Sequence, residues 1–281
     1  MELTSPKEIK GLLSKYETRP SKGLGQNFLI DKNILEKIIE SADLKSGDTV
    51  LEVGPGIGTL TKELAQKAGK VIVVEKDQKM IEILKETLAV FSAQGGSASG
   101  GKNIEIIQGD ILKLSPKPYT LNPYKVVANI PYYLTSPLIR KFLEQENPPQ
   151  EIILMIQKEV AQRICAKPPN MSLLAVSVQF YAEPKIISFV PKSCFLPAPK
   201  VDSAIIKIVP NDKYDISPDT FFKIVKAGFS HPRKQLAGNL SKGLNLEKSQ
   251  VETWLLKNNL KPSQRAETLG VEDWKNLAGT L

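Results

Sequence analysis

The chain has 281 residues, 41% of them hydrophobic, enough to bury one large core and a smaller one, which excludes disorder along its length. Its formal charge of +8 favours a polyanionic partner, nucleic acid before membrane. Cys165 and Cys194 lie far apart and His231 is the single histidine, which excludes a disulfide framework and a zinc site of ordinary spacing and fits a reduced, cytoplasmic setting. No apolar run approaches the ~18–20 residues a membrane span needs. Acidic Glu2 and Glu8 argue against a transit peptide.

Residues 5–17 read as a short amphipathic helix. A basic stretch from Arg19 to Gly25 leads into Gln26-Asn27-Phe28-Leu29. Asp31 is an N-cap for a helix carrying Ile34, Leu35, Ile38 and Ile39 on one face. From Thr49 the pattern changes to alternation. Strands are expected over 49–53, 71–75, 104–108, 125–129 and 151–157, and helices over 59–68, 77–91, 137–145 and onward from Lys158. Strands alternating with helices of that length predict an α/β fold with a doubly wound, mainly parallel sheet, whose ligands bind beyond the carboxyl ends of the strands. The Gly/Ser-rich interruption at 92–102 cannot bury a core and reads as a tolerated, mobile surface insertion. Two further strands are expected over 185–190 and 204–209. A polar, turn-rich stretch at 211–218 then marks a boundary, dividing the chain into domains 1–210 and 211–281. Helices are expected over 219–229, 233–240, 247–258 and 271–277.

The strand ends carry the chemistry. Gly54-X-Gly56-X-Gly58 permits a sharp turn with close backbone approach to a ligand, followed by a helix N-terminus that favours a carboxylate or phosphate. Glu75, twenty-one residues after Gly54, ends the next strand and can accept bonds from both hydroxyls of a ribose. Asp110 ends the third strand and can accept an adenine-type amine; the bland alternative is an Asp capping a turn. The glycine–glutamate pair alone does not separate NAD from S-adenosyl-L-methionine, although the spacing departs from the dinucleotide Gly-X-Gly-X-X-Gly. Asn129-Ile130-Pro131-Tyr132 is the most informative stretch. An exocyclic amine has its lone pair delocalised into the ring and is a poor nucleophile. The Asn129 side-chain oxygen and a main-chain carbonyl beside Pro131 can accept its N–H bonds and favour a more tetrahedral nitrogen, while Tyr132 offers a face for stacking. A strand ending in a proline turn is the bland reading.

Together these motifs resemble the rRNA adenine N6,N6-dimethyltransferases, most closely the small-subunit (16S) type that modifies two adjacent adenines near the rRNA 3′ end. The likeness runs from about Arg19 to Leu269. It includes Gln26-Asn27-Phe28-Leu29, the stretch from Leu51 to Thr61, Val74-Glu75-Lys76-Asp77, Gly109-Asp110, the Asn129 tetrapeptide, the stretch from Gln157 to Arg163, and that from Phe195 to Ser203. The resemblance implies a Rossmann-like class I methyltransferase with a seven-stranded sheet and a small all-helical C-terminal domain. It implies S-adenosyl-L-methionine as cofactor, contacted by Gln26, Asn27, Leu29, Gly54, Gly56, Glu75, Asp110 and Asn129. Asn129 and the Ile130 carbonyl, beside Pro131, would orient the target amine, with Tyr132 and Phe195 on the two faces of the flipped base. The partner implied is rRNA within an assembling 30S particle; a monomer is expected, with no metal and no membrane. The large-subunit enzymes of macrolide resistance share most of these motifs. The stretches from Gly228 to Leu240 and from Arg265 to Leu269 look instead like the small-subunit enzyme.

Between Lys223 and Arg265 there are nine Lys/Arg and two acids, a net +7 out of the chain's +8. Clustered cations suit an RNA backbone, because counterion release rewards grouping. Arg233 and Lys234 are the leading candidates for phosphate contact, with Lys242 and the N-terminal Lys22 extending the face. His231 reads as a helix-entry residue. Two other classes compete: a non-catalytic assembly or transcription factor, which should have lost polar site residues, and a nicotinamide dehydrogenase, which has no use for the Asn129 tetrapeptide.

Overall fold

The computed structural model describes residues 1–21, 23–93, 103–115, 123–211 and 216–281. Lys22 and nearly all of the 92–102 insertion lie outside the described residues. In chain order the elements are α1 (Pro6–Lys15), β1 (Phe28–Leu29), α2 (Lys32–Ala42), β2 (Thr49–Val53), α3 (Thr59–Lys67), β3 (Lys70–Glu75), α4 (Gln78–Ala93), β4 (Ile104–Gln108), β5 (Tyr124–Asn129), α5 (Thr135–Leu143), β6 (Glu151–Gln157), α6 (Lys158–Ile164), α7 (Leu173–Tyr181), β7 (Ala182–Val190), β8 (Phe195–Leu196), β9 (Ser203–Pro210), α8 (Pro218–Gly228), α9 (Leu236–Leu244), α10 (Lys248–Lys257) and α11 (Val271–Gly279).

Seven strands form one sheet in the order β4-β3-β2-β5-β6-β9-β7. The pairs β2–β3, β3–β4, β2–β5 and β5–β6 are parallel, and β9 runs antiparallel to β6. Central strands of such a sheet are covered on both faces, so they read as continuous apolar runs. Residues 50–53, 71–75 and 124–128 are accordingly buried throughout. Helix starts follow local chemistry. Asp31 accepts the Ile34 N–H and caps α2, as its sequence position predicts, and Ser5 does the same for Glu8 in α1. At the other end of α2, the buried Lys125 on β5 donates to the Ala42 and Asp43 carbonyls at 3.0 Å each and pairs with Asp48 at 3.2 Å, answering the orphan carbonyls of the helix terminus. A second apolar cluster joins α1 to the glycine turn and α4: Ile9, Leu12 and Leu13 lie with Phe28, Ile57, Met80 and Ile83.

The chain divides into two compact units, one comprising Met1–Ala161 with Lys185–Pro210, the other Gln162–Pro184 with Asn211–Leu281. The sequence reading gave 162–184 to the first domain. In the structure α7 joins the C-terminal helices because Phe180 stacks on Phe221 of α8 at 4.0 Å, with Phe222 and Tyr181 completing the aromatic cluster. α7 itself, Leu-Leu-Ala-Val-Ser-Val-Gln-Phe-Tyr, is so uniformly apolar that no helical period shows. The pair β1–β8 is too short to register as strands in sequence. α9 begins at Leu236, three residues later than expected; His231 to Lys234 form an exposed turn, closed by the Lys234 N–H donating to the His231 carbonyl at 2.9 Å.

Candidate active site

β2 is the point where the strand order reverses: β3 lies on one side of it and β5 on the other. The carboxyl ends of β2 and β5 therefore bound the crevice that doubly wound sheets use for ligands. One cavity opens there. It is lined by Gln26, Asn27, Leu29, Gly54, Gly56, Glu75, Asp110, Asn129, Ile130, Pro131, Tyr132 and Phe195, every residue that sequence reasoning assigned to cofactor or target base.

One half of the cavity is built from backbone and carboxylates. Gly54 and Gly56 take φ of +67° and +55°, values that favour glycine, and a Cβ at Gly56 would come within 3.2 Å of the Phe28 ring. Glu75 is buried and its carboxylate is clamped: Oε1 accepts the Lys76 and Asp77 N–H groups at 2.8 Å each, and Oε2 accepts the Gly56 N–H at 3.2 Å. Burial raises its pKa, outweighing the three amides. Gln26 braces this corner, its amide donating to Asp77 at 2.9 Å and accepting the Ser21 N–H at 2.8 Å. Asp110 accepts the Leu112 N–H at 3.0 Å and pairs with Lys76 at 3.1 Å. Partial desolvation pushes the Asp110 carboxyl upward, but Lys76 and the amide prevail and hold it below the ordinary value.

The other half presents the tetrapeptide. Asn129 Nδ2 donates to the Asn27 carbonyl at 3.3 Å, which fixes the side-chain amide and turns Oδ1 away from Asn27. Asn27 in turn donates to Gly25 at 3.1 Å. The Tyr132 hydroxyl shares a 2.8 Å hydrogen bond with buried Ser203, which holds the ring in place. Leu29 pairs with Phe195 and Phe28 with Leu196 across β1–β8, which ties the segment beside the glycines to the Phe195 loop.

Three contributors escaped the sequence reading. Lys76 appeared there only inside a motif, and its partner Asp110 lies 34 residues away. Ser203 was the last letter of another. Glu52 also lines the cavity, is buried, and has no hydrogen-bond partner for Oε2 among the described residues. Burial raises its pKa to about 8, with Thr61 opposing and Glu75 assisting, so the carboxyl is largely neutral at pH 7. A glycine cradle and a clamped Glu75 together fit a ligand carrying a ribose. Of the residues expected to meet RNA phosphate, Arg233, Lys234 and Lys242 are exposed on the second unit. Lys22 lies outside the described residues. Among the described residues no three His, Cys, Asp or Glu cluster to hold a metal, and no helix is long and apolar enough to cross a membrane.

Sheet order, glycine turn and strand-end acids define a class I methyltransferase. The crystal structure of a dimethyladenosine transferase from Plasmodium falciparum superposes with a TM-score of 0.73 at 30% identity, covering 89% of this chain and 95% of that one. That of 23S rRNA methyltransferase ErmE gives the same score at 28% identity, covering 91% and 99%. A relative from Dehalococcoides mccartyi strain CBDB1, ribosomal RNA small subunit methyltransferase A, is 45% identical over 275 residues, 96% of this chain and 91% of that protein. The model of the family described as ribosomal RNA adenine dimethylase matches residues 18–281, and the chain belongs to that family. It is an rRNA adenine dimethyltransferase.

Proposed function

We propose that the enzyme uses S-adenosyl-L-methionine to dimethylate N6 of two adjacent adenines near the 3′ end of small-subunit rRNA, as a monomer acting in the cytoplasm on assembling 30S particles. The observation that carries this reading is the single cavity in which a clamped ribose acceptor, Glu75, and an oriented amide, Asn129, face the same space at neighbouring strand ends. The small-subunit assignment is supported by relatives sharing 36–45% identity over nearly the whole chain. The two solved structures have the same TM-score and do not bear on the choice of subunit.

In this reading Gly54 and Gly56 admit the methionine part, Asn27 and Leu29 close over it with Gln26 bracing them, Glu75 holds the ribose and Asp110 the adenine amine. The cofactor supplies a methyl group on a sulfonium, an electrophile needing no further activation. The chain's task is to align the nucleophile. Asn129 Oδ1 and the Ile130 carbonyl would accept the amine N–H bonds and localise the nitrogen lone pair toward the methyl group that the bound cofactor would supply. Pro131 fixes the turn that presents that carbonyl. Tyr132 and Phe195 sandwich the base. Flipping costs a few kcal/mol, set against proximity and orientation worth roughly 7–11 kcal/mol. Arg233, Lys234, Lys242 and Lys22 would hold rRNA phosphates.

The test is methyl transfer to small-subunit particles that lack the modification, read by mass spectrometry of the rRNA 3′ end. Two adjacent dimethyladenosines are expected. A folded, cofactor-binding enzyme that leaves those adenines unmodified overturns the proposal.

A further inference from the structure

Phe189 stands out on the sheet edge. It ends the exposed face of edge strand β7, on which Glu183, Lys185, Ile187 and Phe189 alternate outward, and 47% of it is open to solvent. Ile187, also exposed, lies two residues away on the same face, so the apolar surface here is a patch and not a single residue. The Lys158 ammonium lies 5.0 Å from its ring centroid, a cation–π distance. From 184 to 201 the chain carries Lys185, Lys192 and Lys200 and no acid, and all three lysines are exposed.

This patch is continuous with the target end of the cavity. Tyr132 is bonded to Ser203, and Ser203 sits opposite Gln157 in the β6–β9 register. The neighbouring Asp202 ties the rim together: its carbonyl accepts the Lys158 N–H and its carboxylate the Lys192 N–H, each at 3.0 Å. Lys158 then reaches Phe189. β6 and β9 lie between β5, whose end carries Asn129, and β7, so about 14 Å of sheet, three strand spacings, separates the strand ends. A polynucleotide emerging from the cavity covers that distance in about two nucleotides.

We propose that Phe189 and Lys158 form a stacking platform for a nucleobase flanking the flipped adenosine, the ring taking the base and the ammonium the adjoining phosphate. Single-stranded nucleic acid is held by this combination of aromatic faces and a cationic track. Charge favours a polyanion over a protein partner: an apolar peptide would find Ile187 and Val201 but would meet Lys158, Lys185, Lys192 and Lys200 against Glu183 and Asp202. The platform rests on the RNA-methylating reading above, and it extends it by naming where the neighbouring nucleotide lies.

The test replaces Phe189 with p-benzoylphenylalanine in the full-length enzyme and maps photo-cross-links on unmodified small-subunit particles. Affinity of Phe189→Ala, Phe189→Trp and Lys158→Gln for the same particles is measured in parallel. Cross-links to rRNA within about two nucleotides of the target adenines are expected. Phe189→Ala should bind particles about tenfold more weakly with cofactor affinity unchanged, Phe189→Trp should restore binding, and Lys158→Gln should weaken it and flatten its salt dependence. Cross-links to a ribosomal protein, to distant rRNA or to nothing overturn the platform, as does wild-type affinity of Phe189→Ala. Methylation of the particles by the wild-type enzyme is scored separately, so a failure of the platform and a failure of the proposed reaction give different results.

Discussion

The Tyr132 hydroxyl and the Ser203 hydroxyl, 71 residues apart in the chain, lie 2.8 Å from each other. The bond explains why a tyrosine rather than a phenylalanine suits the end of the tetrapeptide. Its ring can face the target base while its phenol is pinned to β9. Ser203→Ala should leave that half-buried hydroxyl unpaired and the ring free to turn. A loss of about 1 kcal/mol of orientation corresponds to roughly a fivefold fall in kcat/KM for RNA. Cofactor affinity by calorimetry should not change. A loss of cofactor affinity instead would show that the bond supports the whole crevice and not the ring.

Asn129 and Glu75 should separate cleanly. Removing one preorganised acceptor from a developing charge costs about 10²–10³ in rate, so Asn129→Ala should lose at least that much in kcat while binding cofactor nearly as well. Glu75→Ala removes an acceptor whose geometry three backbone amides maintain. It should weaken cofactor binding first, tenfold or more, and leave kcat at saturation less affected. Equal losses of both properties in both variants would contradict this division of labour.

Much of this was legible in the sequence because strand ends advertise themselves. Apolar runs at Thr49–Val53 and Tyr124–Asn129 end in glycine or proline turns, and a parallel sheet gathers such ends in one place. The α/β class and the strand-end residues Gly54, Gly56, Glu75, Asp110 and Asn129 to Tyr132 followed from that local signal, whereas Gln26, Asn27, Leu29 and Phe195 came only from the family resemblance. What stayed hidden is pairing between distant side chains. Lys76–Asp110, Gln26–Asp77 and Tyr132–Ser203 join residues 34, 51 and 71 positions apart, and no periodicity encodes such a match. Helix α7 was hidden for the opposite reason: a segment apolar at seven of nine positions has no polar face to give it a period.

Asn239 gives the basic turn its shape. The side chain is buried in α9, and Nδ2 donates to the Gly228 carbonyl at 2.7 Å and the His231 carbonyl at 3.0 Å. Those two bonds close the loop that carries Arg233 and Lys234. Asn239→Leu is expected to lower RNA affinity about as much as Arg233→Ala does, and to destabilise the second unit by roughly 1–3 kcal/mol, because the Gly228 carbonyl loses its side-chain donor while the His231 carbonyl keeps only the Lys234 N–H. Arg233→Ala should weaken binding and reduce its salt dependence by about one phosphate contact, with no effect on stability. Binding measured between 50 and 200 mM salt, alongside urea unfolding, distinguishes the two variants. An Asn239→Leu protein that binds RNA normally would show that the turn holds without its brace.

Glu52 makes stability depend on pH. The folded-state pKa of about 8 lies above the ordinary 4.5, because the buried carboxyl is kept neutral. Between those values the unfolded chain has released this proton and the folded one retains it. Stability from this group is therefore complete below about pH 4.5 and declines as pH rises toward 8, with a slope of about 1.4 kcal/mol per pH unit at most. Glu52→Gln is neutral at every pH and similar in shape, so it removes the slope and leaves the cavity filled. Urea unfolding of cofactor-free wild type and Glu52→Gln at pH 5, 6, 7 and 8 should show the variant gaining on the wild type at each step, and the difference levelling above pH 8. Parallel curves would mean that Glu52 is ionised in the folded enzyme, and that a cation or donor near Oε2 compensates its burial.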